Sequence, residues 1–178
     1  LILLVRMSFI FINYMLLFFC MSRLSKKFLV IYIFLLGFSV QGDKEKKEIE
    51  PIKIVIQSND LMQYDKNAIS AEKGKKYEIT LKNIGKLPKA AMGHNLILLK
   101  PGIDALTFGQ ALITKHGATL QNEWKPVKAS KHVLAQTKML GPNEQETLKI
   151  SFEKSGAYHY LCSFPGHFGQ MRGIINVK

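Results

Sequence analysis

The sequence predicts an all-β domain, a β-sandwich, and three observations carry that prediction. Short runs rich in β-branched and aromatic residues recur at 52–57, 76–83, 94–99, 132–137, 146–153, 157–162 and 173–177, each bounded by turn residues. Two of them alternate cleanly, through Tyr77, Ile79 and Leu81 in one and Leu148, Ile150 and Phe152 in the other, so each lays one apolar face on a core. Only one stretch among them has helical spacing, which excludes a helical bundle and a strand–helix–strand repeat.

Taken in order, residues 1–42 do not belong to the sandwich. They carry long apolar runs, no acidic residue, and only Arg6, Arg23, Lys26 and Lys27 as charges. From Met21, the expected start, the pattern is that of an export signal: a basic segment, an apolar stretch at 28–40, and Gly42 before the charged run of 43–48, with cleavage expected after Gly42. The apolar stretch is shorter than the roughly 20 residues of a spanning helix, so a cleaved leader is favoured over a retained anchor. Residues 43–51 form a charged arm, and 52–178 the folded domain. Within that domain, 103–116 places Leu106, Ala111, Leu112 and Ile113 at helical spacing after Pro101-Gly102 and before Gly117, which predicts one short helix outside the strands.

The formal net charge of +12 becomes +8 without the four basic residues of the leader, since all 13 acidic residues follow position 42. The lysines are scattered and not interleaved with aromatics, which argues against a nucleic-acid module and for a soluble lysine-rich surface. Of the two cysteines, Cys20 lies in or before the leader, leaving Cys162 alone in the domain. A lone thiol in an oxidising compartment is reactive, intermolecular or a metal ligand.

The third possibility has a pattern behind it. Cys162, His167 and Met171 fall within ten residues, between the last two predicted strands, with Pro165-Gly166 supplying a turn. His94 opens another predicted strand. Two imidazoles and a thiolate with a weak axial thioether are the donors of an electron-transfer copper site, because that set suits both Cu(I) and Cu(II) and leaves no position open for substrate. His116, expected as a cation at the helix C-terminus, and His132 and His159, expected in strands, have no ligand partner at a suggestive spacing.

At these residues the chain resembles the azurins, within the cupredoxin family. The similarity runs through Ile56-Gln57, Asn59-Asp60, Met62-Gln63, Asn67-Ala68-Ile69, Leu87-Pro88-Lys89, Met92-Gly93-His94-Asn95, Thr137-Lys138, Phe164-Pro165-Gly166-His167 and the close from Met171 to Lys178. The spacing from cysteine to histidine is longer than in plastocyanin-like proteins. The resemblance implies an eight-stranded Greek-key sandwich, one copper ion held by His94, Cys162, His167 and Met171, and the carbonyl of Gly93 as a second weak axial donor. It also implies that Asn95 ties the two ligand loops together and that the Phe164 amide donates to the Cys162 sulfur. Three departures stand out: no cysteine at Ile52 or at Gly74 and Lys75 for the usual disulfide, Asn83 in place of a titrating histidine, and Leu96 in place of a core tryptophan.

The functional expectation is a periplasmic protein that cycles Cu(II)/Cu(I), takes no small-molecule substrate, binds no nucleic acid and is no enzyme. Its partners are expected to be redox proteins such as c-type cytochromes or copper or haem reductases. They would dock at an apolar patch of Met62, Leu87, Ala91, Met92, Phe164, Pro165, Gly166 and Phe168 around His167. The competing reading is copper storage or delivery, which favours exposed methionine- or histidine-rich tracts that the sequence lacks. A cysteine–histidine hydrolase would need Cys162 accessible to solvent beside a base.

Overall fold

A computed structural model describes residues 50–178; the expected leader and the arm up to residue 49 lie outside the described residues. The strands are β1 (Ile52–Asn59), β2 (Gln63–Tyr64), β3 (Ala68–Ala71), β4 (Lys76–Asn83), β5 (Ile97–Leu99), β6 (Val133–Gln136), β7 (Gln145–Ser151), β8 (Gly156–Leu161) and β9 (Arg172–Val177). They form two sheets, of order β2-β1-β4-β7 and β3-β9-β8-β5-β6. The pairs β1/β4 and β3/β9 are parallel and the others antiparallel, so the chain passes between sheets before it returns beside an earlier strand. The all-β sandwich predicted from the sequence is the fold observed, with nine strands where the resemblance implied eight. The seven runs read from the sequence leave out β2 and β3, because segments of two and four residues carry too little periodicity to read.

The alternation of β4 and β7 does what it predicts. Tyr77, Ile79, Leu81 and Leu148 are buried and face Leu98, Tyr158, Tyr160 and Ile175 of the other sheet in one cluster. The same cluster contains Cys162 and Met171, so the candidate site is an extension of the core. β5 behaves differently, since Leu96 and Leu98 join the core between the sheets while Ile97 and Leu99 join a second cluster on the outer face. A strand covered on both sides needs no polar alternate positions, which accounts for the continuous run Leu96-Ile97-Leu98-Leu99.

The cover on that outer face is helical, as expected, but shorter. It is α2, which spans only Ala105–Gln110; the single turn α1, Lys89–Met92, buries none of its residues and is not part of this cover. Asp104 starts α2 by accepting the Thr107 N–H at 2.8 Å. After Gln110 the chain leaves helical geometry, with the N–H groups of Lys115 and His116 both bonded to the Ala111 carbonyl in a turn. The buried face is Ala105, Phe108, Gly109 and Leu112, an i, i+3, i+4, i+7 set, whereas Leu106 and Ile113 from the predicted set are exposed. Burying Phe108 and Leu112 contributes about 1.5–3 kcal/mol each. Gly109 is required there, because a Cβ would meet the Phe168 ring at 2.5 Å.

Candidate metal centre

The Cys162 end of the site is built by a closed loop. β8 delivers Cys162, whose N–H donates to the Met171 carbonyl at 3.0 Å, and Leu161 pairs with Arg172 at the start of β9. Inside this closure Pro165 and Gly166 occupy the two central positions of a turn in which the His167 N–H donates to the Phe164 carbonyl at 3.0 Å. Gly166 has φ +84°, which the second central position of such a turn demands. The Met171 N–H then returns to the His167 carbonyl at 2.8 Å. Four residues that looked adjacent only in sequence are thus locked to one another by their backbones.

His94 arrives from the opposite side. It was expected to open a strand, yet β5 starts only at Ile97, and His94 instead makes an isolated two-way bridge with Leu140, at 3.1 and 2.7 Å. Thr137 secures the next step, accepting the Leu96 N–H on Oγ1 at 2.9 Å and donating its own N–H to the Leu96 carbonyl at 3.0 Å. Asn95 joins this segment to the cysteine loop, as the resemblance implied: its Oδ1 accepts the Ser163 N–H and its Nδ2 donates to Ser163 Oγ, both at 2.8 Å.

These supports bring His94, Cys162 and His167 together, with one donor atom of each lying within 4.8 Å of the others. The Cys162 sulfur is 3.7 Å from His167 Nδ1, and the two imidazole centroids are 5.1 Å apart. His94 and Cys162 are fully buried and His167 is 3% exposed. Burial, the largest effect, pushes the Cys162 thiol up to about 12, against the backbone N–H groups of Asn95 and Phe164 directed at the sulfur. The Phe164 amide was expected in that role; the Asn95 amide joins it. Burial first, and the His94 ring second, push His167 down to about 4, and burial lowers His94 as well.

The decisive feature is at His94, where both ring nitrogens are buried and, among the described residues, neither makes a hydrogen bond of ordinary geometry, although the Asn59 backbone lies near enough to oppose part of the burial effect on the ring. A buried imidazole normally satisfies at least one nitrogen. A neutral imidazole has one lone-pair nitrogen, and at His94 that lone pair, beside a buried thiol and a second imidazole, is available to a cation; the nitrogen-and-sulfur donor set suits copper. Met171 is fully buried beside Cys162 in the core cluster. Gly93 is buried directly before His94 and has no room for a side chain, since a Cβ would lie 2.7 Å from the Lys89 carbonyl oxygen and 2.8 Å from Met139.

The remaining histidines stand apart from the centre. His116 is not a cation at a helix end: α2 finishes six residues earlier, and the ring stacks on Phe108 at 4.4 Å. Burial, His132 and Lys115 lower its pKa. His159 lies in β8, as expected, and accepts the Ala105 N–H at 3.3 Å, whereas His132 ends a 3-10 turn rather than lying in a strand. Of the expected patch, Leu87, Ala91 and Gly166 are exposed and Met62, Met92, Phe164 and Pro165 half-buried, while Phe168 packs inward against the α2 cluster. Trp124, not singled out from the sequence, sits edge-on to Phe164 at 6.4 Å, and Phe164 in turn lies 4.6 Å from the His167 ring.

Residues 51–178 match the family of copper-binding proteins described as the plastocyanin/azurin family. Azurin-2 of Alcaligenes xylosoxydans xylosoxydans is 38% identical over 128 residues, covering 68% of this chain and 94% of that protein. The azurin of Alcaligenes faecalis is 37% identical over 129 residues, covering 70% and 96%. Among solved structures, the azurin Az-iso2 of Methylomonas sp. strain J superposes with a TM-score of 0.62 at 28% identity, covering 72% of this chain and 99% of that one. The reduced auracyanin of Roseiflexus castenholzii superposes with 0.60 at 27% identity, covering 73% and 99%. With a copper-compatible cluster in its core and these relatives along its described length, the chain belongs to the copper-binding plastocyanin/azurin family, proteins that transfer electrons on copper and are not enzymes.

Proposed function

We propose that this chain is an exported carrier of single electrons between redox proteins, and that His94, Cys162 and His167 would hold its copper, with Met171 and the Gly93 carbonyl as weaker donors. The observation that carries the reading is the buried His94–Cys162–His167 cluster, with one donor atom of each residue within 4.8 Å of the others. Bound copper supplies a one-electron couple there. The chain's own part is to hold one arrangement. The bridge to Leu140, the Asn95–Ser163 bonds and the closed loop from Cys162 to Met171 leave the donors little freedom to rearrange. Cys162 is fully buried, which removes the hydrolase alternative.

His167, whose ring lies 4.6 Å from the half-buried Phe164, is the proposed contact with partners such as c-type cytochromes or copper or haem reductases, and Leu87 and Ala91 of the expected patch are exposed. An apolar surface beside a redox centre suits brief, small-area encounters. The sequence pattern of residues 21–42 supports export to the periplasm. The test is the visible spectrum after copper addition: an intense thiolate-to-copper band is expected, and copper uptake without that band supports storage or delivery. Amino-terminal sequencing of the exported protein is expected to start near Asp43.

A further inference from the structure

Asn95 spends three of its polar groups on the cysteine side of the centre. Its backbone N–H is directed at the Cys162 sulfur, its Oδ1 accepts the Ser163 N–H, and its Nδ2 donates to Ser163 Oγ. The group left is the backbone carbonyl, and that oxygen receives the hydroxyl of Tyr64 at 2.5 Å. Asn95 is fully buried and Tyr64 nearly so, in the same core cluster as Cys162. Tyr64 is carried there by β2, whose pairing with β1 sets Tyr64 opposite Ser58.

We infer that Tyr64 is a positioning residue for the metal centre: its hydroxyl fixes the Asn95 backbone and so aims the N–H that Asn95 directs at the Cys162 sulfur. The inference rests on the copper reading above. Hydrogen bonds to a ligand sulfur withdraw charge from it and tune the potential, so whatever orients the donor tunes the metal.

Tyr64 also has a neighbour that suggests a different role. The Tyr160 ring lies 5.5 Å away, tilted by 53°, and the Tyr160 hydroxyl donates to the Lys66 carbonyl at 2.6 Å. Two tyrosines beside a thiol resemble a radical relay. Yet a phenol gives up an electron readily only if its proton has somewhere to go. Both hydroxyls face backbone carbonyls, which take no proton, and burial raises both pKa values. The pair is held as neutral phenols. Tyr160 then becomes a matched control, since its hydroxyl bonds to the 66 carbonyl and not to Asn95.

The test compares Tyr64→Phe with Tyr160→Phe, both of which keep the ring pair. In copper-loaded protein, Tyr64→Phe is expected to lower the reduction potential and shift the thiolate-to-copper band, while Tyr160→Phe leaves both at parent values. In copper-free protein, deuterium exchange at the Ser163 amide is expected to accelerate about tenfold in Tyr64→Phe, as fits the loss of one buried hydrogen bond, and not in Tyr160→Phe. Parent exchange rates at Ser163 in Tyr64→Phe, or equal shifts in the two variants, would overturn the assignment. A parent protein that takes up copper without an intense band sinks the electron-carrier reading instead, and the copper-free exchange then still decides the role of Tyr64.

Discussion

Asn83 donates its side-chain amide to the Leu140 carbonyl at 3.2 Å, and that same oxygen accepts the His94 N–H at 3.1 Å. The asparagine that stands in place of a titrating histidine is therefore a brace for the His94 bridge. Its Oδ1 also accepts the Gly85 N–H at 2.9 Å, and the side chain is 1% exposed. Asn83→Ala leaves the buried Gly85 amide unpaired, which should cost roughly 1–3 kcal/mol of stability in denaturant titration of the copper-free protein. A loss below the error of that titration would show that water replaces the amide.

An amide does not titrate, so reduction should couple weakly to protons near neutrality. Voltammetry between about pH 5 and 8, where an ordinary histidine titrates, should show a shallow slope. A steep slope would mean that another group takes the proton.

The copper-free protein should behave otherwise in acid. His167 is pushed down to about 4 in the fold and returns toward its usual 6.5 on unfolding. Between those values the unfolded chain binds more protons than the folded one, so stability falls as pH falls through that window and this contribution is spent below about 4. Urea midpoints at pH 7 and near pH 4.5 measure the difference. His167→Gln should flatten the fall, and an equally steep fall in that variant would assign it to other groups.

Burial holds Cys162 as a thiol at neutral pH, up at about 12, so copper uptake should release a proton, measurable in weakly buffered solution. Cys162→Ser should abolish the blue colour, which thiolate charge transfer generates. Met171→Leu should keep the colour and raise the potential, because a weak axial donor stabilises Cu(II) and a hydrocarbon does not. A colourless Met171→Leu protein that still binds copper would contradict the axial role.

Met92 is half-buried, in the short α1 turn just before Gly93 and His94. Met92→Lys should leave the visible spectrum unchanged and markedly slow electron self-exchange, since two hydrated, like-charged surfaces meet poorly. Self-exchange at the parent rate with an intact spectrum would remove this surface as the docking site.

The sequence by itself determined the sandwich and the thiol and two imidazoles of the candidate site. Alternation along Tyr77-Ile79-Leu81 specifies a buried face locally, and the cysteine and histidine of one loop come together once strands hold its two ends. Distance in sequence hid the rest. Which asparagine braces His94, which hydroxyl fixes Asn95, and whether Leu106 or Leu112 faces the core depend on segments tens of residues apart, and only the packed sheets bring these together. Helical spacing at 103–116 could be read, but the point where the helix stops could not. The helix ends at Gln110 because the chain must turn back, through His116 on Phe108, to close the outer cluster, and no local propensity encodes that contact.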